Sequence, residues 1–415
     1  MRLLTILLIL ISVSFGQQQQ LQNLVERALE NNPALKARGH HVQAAKELID
    51  PAGALPDPMI SLGLMNVPSN SFAFNQEPMS GKQLAFSQAI PFPGKLGLKK
   101  KLAEIEAQKA TDVQGELELQ IIRNVKQTYF KIFDLDRAIE VTERNQTVLK
   151  NFTQIAQTRY TVGSGIQQDV LKAQVEFARF EDRLISLQEK RAALNAKLNA
   201  LLNLPQDQAL EKTEIWSFEA NDIPFDTLKN RLLKNNPILK AWQKNTEQSA
   251  VRVRLAKKEL LPDFTFTFAY TQREVLQSGL GGNDFLSAVV GLKIPLYFWK
   301  KQDKQLQARR FQKKESTEQF NDIKNRLLAS LNDAYQRAQK KAELIQLYQA
   351  TIIPQASQAL NSAIASYQND QVDFLTLLNN LMVLFNYERE YYRLISEYYQ
   401  QLAQIEYLTA KQIIK

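Results

Sequence analysis

Asn31-Asn32-Pro33-Ala34-Leu35-Lys36-Ala37 returns later in the chain as Asn235-Asn236-Pro237-Ile238-Leu239-Lys240-Ala241. Six of the seven positions match, at an offset of 204. Ile90-Pro91 recurs as Ile294-Pro295 at the same offset, Tyr129 aligns with Tyr335 at 206, and Tyr160 aligns with Tyr367 at 207. A chance echo of one motif does not keep four landmarks in order. The 415 residues therefore read as two copies of one structural unit, 17–204 and 225–415, joined by segment 205–224. Each copy repeats one grammar. A helical stretch comes first (Leu21 to Ile49, then Leu228 to Leu260), and a proline break follows at Pro51, Pro56 and Pro58 or at Pro262. Two strand-like segments then flank a Gly/Asn/Ser-rich loop. A very long helical region begins after Pro93 or Pro295.

The strand signal is clearest at 263–272, where Phe264, Phe266, Phe268 and Tyr270 alternate with Thr265, Thr267, Ala269 and Thr271. Period two marks a strand. Its partner is 285–294, and the first copy offers 58–67 and 82–90. A half-buried strand in a soluble protein would alternate in the same way. The length also suits a membrane, since a spanning β-strand needs about 9–11 residues. The aromatic face would then meet lipid and the small polar face a water-filled lumen. Four strands cannot close a barrel, and open edges cannot face hydrocarbon because unpaired backbone groups cost several kcal/mol each. Membrane strands would have to be pooled between chains, and three chains would supply twelve. The soluble alternative is a four-stranded sheet packed on the helices.

No proline lies between Pro93 and Pro205, and Gly163-Ser164-Gly165 reads as a turn. The helix before it can run some 60 residues, on the order of 90 Å. Its apolar stripe is Leu117, Ile121, Val125, Tyr129, Ile132, Leu135 and Ile139. That spacing fits a straight helix better than a 3.5-residue supercoil repeat. The second copy answers with Ile323, Leu327, Leu331, Tyr335, Ala338, Lys341 and Ile345. These stripes are core between antiparallel helices. The second hairpin turns near Gln368-Asn369-Asp370-Gln371, and Pro354 is expected to kink the helix before it.

Composition closes off several classes. There is no cysteine, so there are no disulfides, thiolate metal sites, cysteine catalysis or cysteine-linked lipid. Fourteen glycines and no phosphate-loop pattern argue against a nucleotide-binding enzyme. The formal charge of +9 permits an anionic partner without requiring one. Met1 and Arg2 lead into an apolar run ending at Ser14 and Gly16, as in a secretory leader cleaved after residue 16.

At this point the residues resemble TolC-type outer-membrane efflux proteins. The motifs that carry the resemblance are Asn31-Asn32-Pro33, Leu55-Pro56-Asp57-Pro58, Gln88-Ala89-Ile90-Pro91-Phe92-Pro93-Gly94-Lys95-Leu96, Tyr160-Thr161-Val162-Gly163 and Asp169-Val170-Leu171. The Pro-Phe-Pro-Gly-Lys form looks most like the heavy-metal-efflux branch. The resemblance implies a mainly α fold with a minor β part. Duplicated long-helix hairpins would form a trimeric α-barrel in the periplasm. Four strands per chain would join one twelve-stranded transmembrane β-barrel in outer-membrane lipid. The implied function is a passive duct in a homotrimer that docks with a periplasmic adaptor and an inner-membrane pump, with no cofactor and no catalysis. The alternative is a periplasmic coiled-coil adaptor or scaffold without a barrel. Carried over by position, Tyr160, Thr161, Val162 and Gly163 form one hairpin tip, and Tyr367, Asp370 and Asp373 belong to the other. Both would contact the adaptor and narrow the aperture. Phe264, Phe266, Phe268 and Tyr270 become the lipid-facing positions. Some members place acidic residues near Thr376 and Asn379, and this chain does not. Asp370 and Asp373 are either solvated turn residues or acidic rings in the trimer.

Little else suggests chemistry. His40 and His41 are neighbours on a helix and point apart, so they read as surface residues. Met59, Met65 and Met79 could bind a soft ion, but lipid-facing or loop positions suit them better. Lys99-Lys100-Lys101 and Lys300-Lys301 follow the second and fourth strands, where anionic headgroups would lie. Acids interspersed among the basic residues, together with export, argue against nucleic acid.

Overall fold

A computed structural model describes residues 19–414; the leader at 1–16 lies outside the described residues. The first copy holds helices α1 (19–31), α2 (Pro33–Glu47) and α3 (Ile49–Gly53), then strands β1 (Met59–Met65) and β2 (Gly81–Ile90). The hairpin α4 (Lys95–Thr161) and α5 (Gln167–Leu202) completes it. The second copy holds α6 (Phe225–Asn235), α7 (Pro237–Lys258), β3 (Asp263–Gln272) and β4 (Phe285–Lys293). It continues with α8 (Gln302–Leu347), a π-helical turn (Tyr348–Ile352), α9 (Ile353–Gln368) and α10 (Phe374–Thr409). α4 runs 67 residues. No helix among the described residues is long and apolar enough to cross a membrane.

The opening helical stretch of each copy is broken rather than continuous. The breaks fall at Asn32 and Asn236, because a residue before proline is driven out of the α region. Asn32 then caps the next helix, its Oδ1 accepting from the Ala34 N–H at 3.0 Å. Its Nδ2 donates to the Leu201 carbonyl at 3.2 Å, near the end of α5. Asn236 repeats this, donating to the Leu408 carbonyl at 2.9 Å, near the end of α10. The echoed motif thus marks an echoed hydrogen bond.

At Pro354 the helix does not simply kink. The turn before it loosens to π spacing, and the Ile353 N–H bonds to the Tyr348 carbonyl five residues back.

The chain compacts into two units. Among the described residues, one comprises 19–38, Gln114–Pro237 and 324–414; the other comprises Gly39–Val113 and Ile238–Ile323. Both units draw on both copies.

In the first unit, Phe130 of α4 stacks on Tyr399 of α10 at 4.8 Å, and Trp216 meets both edge-on at 5.1 Å. Trp216 belongs to segment 205–224, which has no regular structure yet is pinned along its length. The Thr213 N–H and hydroxyl donate to the buried Asp136 at 2.8 and 2.9 Å, and Arg191 pairs with the other carboxylate oxygen. The Tyr399 hydroxyl donates to the Ser217 carbonyl, and the Asn221 N–H donates to the Tyr398 hydroxyl. Lys126 and Glu406 form a buried ion pair at 2.6 Å. The other Glu406 oxygen accepts the N–H groups of Ile413 and Ile414, folding the chain back after α10.

The second unit holds one antiparallel sheet in the order β1-β2-β3-β4. The central β2–β3 pairing joins the two copies. At its foot the buried Lys95 donates to Asp263 at 2.7 Å and to the Leu261 carbonyl at 3.1 Å.

Candidate functional site: the sheet and the hairpin tips

The sheet carries its apolar face through every strand. Leu62, Leu84, Tyr270 and Leu286 lie in register across it, as do Ile60, Phe86, Phe268 and Ala288. Phe264 pairs with Ile90 and Leu292, and Phe266 with Gln88 and Val290. This face is bare: Leu62 is 83% and Leu286 87% exposed, against a usual preference for burying such side chains. Phe268 and Tyr270 are exposed as well, while Phe264 and Phe266 are half-buried. The other face holds Gln83, Ser87, Thr267 and Thr271, with Ser87 bonded to Thr267 at 3.0 Å and Gln83 to Thr271 at 3.2 Å. Met59 and Met65 sit on this small polar face, paired with Ser87 and Gly81. They are not on the apolar face, because odd positions of β1 project away from Ile60 and Leu62. Met79 lies in the β1–β2 connection, and His40 and His41 are exposed on α2.

The outer edges of β1 and β4 have no strand partner among the described residues.

The tips are built on a four-helix core. Phe152 of α4, Phe180 of α5, Leu360 of α9, and Leu377 and Phe385 of α10 are all buried in it. Tyr160 and Thr161 close α4, and Val162 and Gly163 begin the turn. Gly163 adopts φ +76°, a left-handed value that favours glycine. Asp370 occupies the matching place in the second tip at φ +59°. Aspartate tolerates this region because its short side chain bonds locally.

Asp370 also forms an ion pair with Arg159. Arg159 sits in the last turn of α4 and donates to the Tyr367 carbonyl at 2.6 Å, with its guanidinium 4.8 Å from the Tyr367 ring. It also reaches the Ser164 carbonyl of its own turn. One side chain therefore ties the two tips together. Tyr367 is buried at 5% exposure beneath it, packed against Phe374. Of the expected tip residues, Tyr160 and Val162 are exposed, while Tyr367 turns inward.

Asp373 does not join Asp370. It caps α10, accepting the Thr376 N–H at 2.8 Å, and hydrogen bonding from the Thr376 side chain and then its N–H holds the carboxyl below the usual range. Across the turn, burial pushes Asp169 up; the nearby Asp373 adds to the rise, and Lys172 and Arg159 oppose it. Arg159 was not singled out by the sequence. The only local signal was a basic residue one position before Tyr160.

Comparison with known proteins adds independent findings. The sequence model of the outer membrane efflux protein family matches residues 24–204 and 228–411, one stretch for each copy. The cobalt-zinc-cadmium resistance protein CzcC of Cupriavidus metallidurans is 22% identical over 301 residues, covering 71% of this chain and 68% of that protein. Toxin and drug export protein A of Aggregatibacter actinomycetemcomitans is 24% identical, over 68% of this chain and 62% of that protein. The crystal structure of the outer membrane protein VceC from Vibrio cholerae superposes with a TM-score of 0.80 at 20% identity, covering 95% of this chain and 97% of that one. That likeness extends to the whole fold. With one family model matching most of each copy, the chain belongs to the outer membrane efflux proteins.

Proposed function

We propose that the paired tips set the periplasmic aperture of an export channel and meet its adaptor, with Arg159 holding the two tips in one arrangement. The channel is that of its family: an outer-membrane duct of a tripartite efflux system, assembled from three copies, with its helical part in the periplasm. It docks with a periplasmic adaptor and an inner-membrane pump. The observation that carries the aperture reading is the Arg159 bridge between tips more than 200 residues apart in sequence. Exposed Tyr160 and Val162 supply the surface for the adaptor. Asp370 and Asp373 act locally, one as the Arg159 partner and one as a helix cap. The duct role asks for no catalysis.

The apolar face of the sheet, including Phe264, Phe266, Phe268 and Tyr270, meets lipid in this reading, and the Thr267 face lines the lumen. The unpaired edges of β1 and β4 are closed by neighbouring copies, which removes the cost of open edges in hydrocarbon. A metal-ion cargo is the substrate reading, supported by the similarity to CzcC and by the Pro-Phe-Pro-Gly-Lys segment. Deleting the chain and scoring zinc, cadmium and cobalt tolerance against toxic organic compounds tests it. Lost metal tolerance alone supports metal cargo, and lost drug tolerance alone contradicts it.

A further inference from the structure

At the foot of the sheet lies an open cavity of about 650 Å³. It is bounded by the start of α4, the end of α7, the first residue of β3, the last of β4 and the first turns of α8. Five cations and two carboxylates line it. Lys95 and Asp263 neutralise each other. Arg252, Lys293, Lys301 and Arg309 remain, and none of them forms an ion pair among the described residues. Glu259 opposes them from the cavity wall, Asp263 also faces Lys293, and Glu106, outside the lining, faces Arg252. The lining is thus left with a net charge of +3. Such a cluster on low-dielectric walls attracts an anion. Gln302 adds a shielded amide oxygen with no hydrogen-bond partner among the described residues, so the cavity also wants a donor.

The connection from β4 into this cavity carries a second feature. Leu296, Tyr297, Phe298 and Trp299 follow one another, all about half or more exposed. Phe298 and Tyr297 pack edge-on against Trp299 at 5.3 and 6.2 Å. Aromatic side chains of this kind settle at the boundary between hydrocarbon and water. The run continues directly from the bare apolar face of β4.

We propose that this cavity binds the headgroup of an anionic glycerophospholipid. Arg252, Lys293, Lys301 and Arg309 surround the phosphate, Gln302 accepts from a glycerol hydroxyl, and the Leu296–Trp299 turn lies against the acyl chains. The site rests on the membrane reading of the sheet and adds a specific lipid to it. It differs from a diffuse basic surface because the charges converge on one cavity.

Native mass spectrometry of the intact trimer in mild detergent tests this, with phosphatidylglycerol and phosphatidylcholine offered at equal concentration. Phosphatidylglycerol is expected to bind preferentially. Arg309→Gln and Lys301→Gln should each weaken it about fivefold, the effect of one charge near a membrane surface. Lys304→Gln, one turn away and outside the cavity lining, should leave binding unchanged. If Arg309→Gln fails to assemble, Arg309→Lys and Lys301→Gln carry the comparison. Equal binding of the two lipids, binding unaltered by the cavity variants, or displacement by inorganic phosphate at equal concentration overturns the site. Failure of the membrane reading looks different, because the protein would then be recovered without detergent.

Discussion

Arg159, in the last turn of α4, donates to the backbone carbonyl of Tyr367, in the last turn of α9, at 2.6 Å. The two residues sit 208 positions apart, and Tyr367 is the counterpart of Tyr160 in the repeat. The contact therefore links the ends of the two duplicated hairpins. A hydrogen bond from a charged donor contributes about 1.5–3 kcal/mol. Arg159→Ala should free the second tip. Hydrogen exchange at 365–373 is expected to speed up about tenfold or more, and the conductance of the trimer in planar bilayers to rise. Unchanged exchange and conductance would remove Arg159 from the aperture.

The sheet faces make a sharper test in lipid. Phe266→Arg should hinder membrane assembly, costing about 2–4 kcal/mol near the midplane. Thr267→Arg, one residue away on the other face, should be far better tolerated. Heat-resistant trimer recovered from membranes measures both. Equal tolerance would count against the face assignment.

Lys126 and Glu406 are both nearly inaccessible. Glu406→Gln leaves the ammonium buried without a counter-charge and also weakens the anchor for Ile413 and Ile414. The expected cost is about 3–5 kcal/mol, read as a fall in melting temperature. Replacing both partners with methionine should cost much less, because no buried charge is then left behind.

High pH probes the core around the connecting segment. Burial pushes Tyr129 and Tyr407 up to about 12; Trp216 opposes the shift at Tyr129, while Glu116 adds to it at Tyr407. Their neutral forms are thus favoured by folding. That contribution is complete below the unfolded value near 10 and is lost as pH rises from about 10 to 12. Phenolate absorbance should show these tyrosines titrating late, with stability falling across the same window. Tyr129→Phe should reduce the loss.

Much of this was legible in the sequence because it was written twice. The period-two run from Phe264 to Tyr270 fixed β3 at 263–272, and the proline-free stretch after Pro93 announced α4. Gly163 marked a turn that needs positive φ. The second turn was legible at Gln368-Asn369-Asp370-Gln371, but no glycine there announced that Asp370 would take the positive φ. The contacts that organise the tips were not legible. Arg159 gains its meaning from Tyr367 and Asp370, and no local pattern joins residues so far apart. The same holds for segment 205–224, whose irregular sequence gives no hint that Thr213 and Trp216 dock onto α4. Chemistry alone does not place the methionines of β1. Met59 is apolar, but the register with Ser87 puts it on the polar face.

In the outer membrane, the four strands of each chain are completed by those of neighbouring copies. The most direct test is the mass of the mature protein purified from outer membranes, corrected for bound detergent. A trimer, with its twelve strands, is the expected result. A monomer released in water without detergent would contradict it.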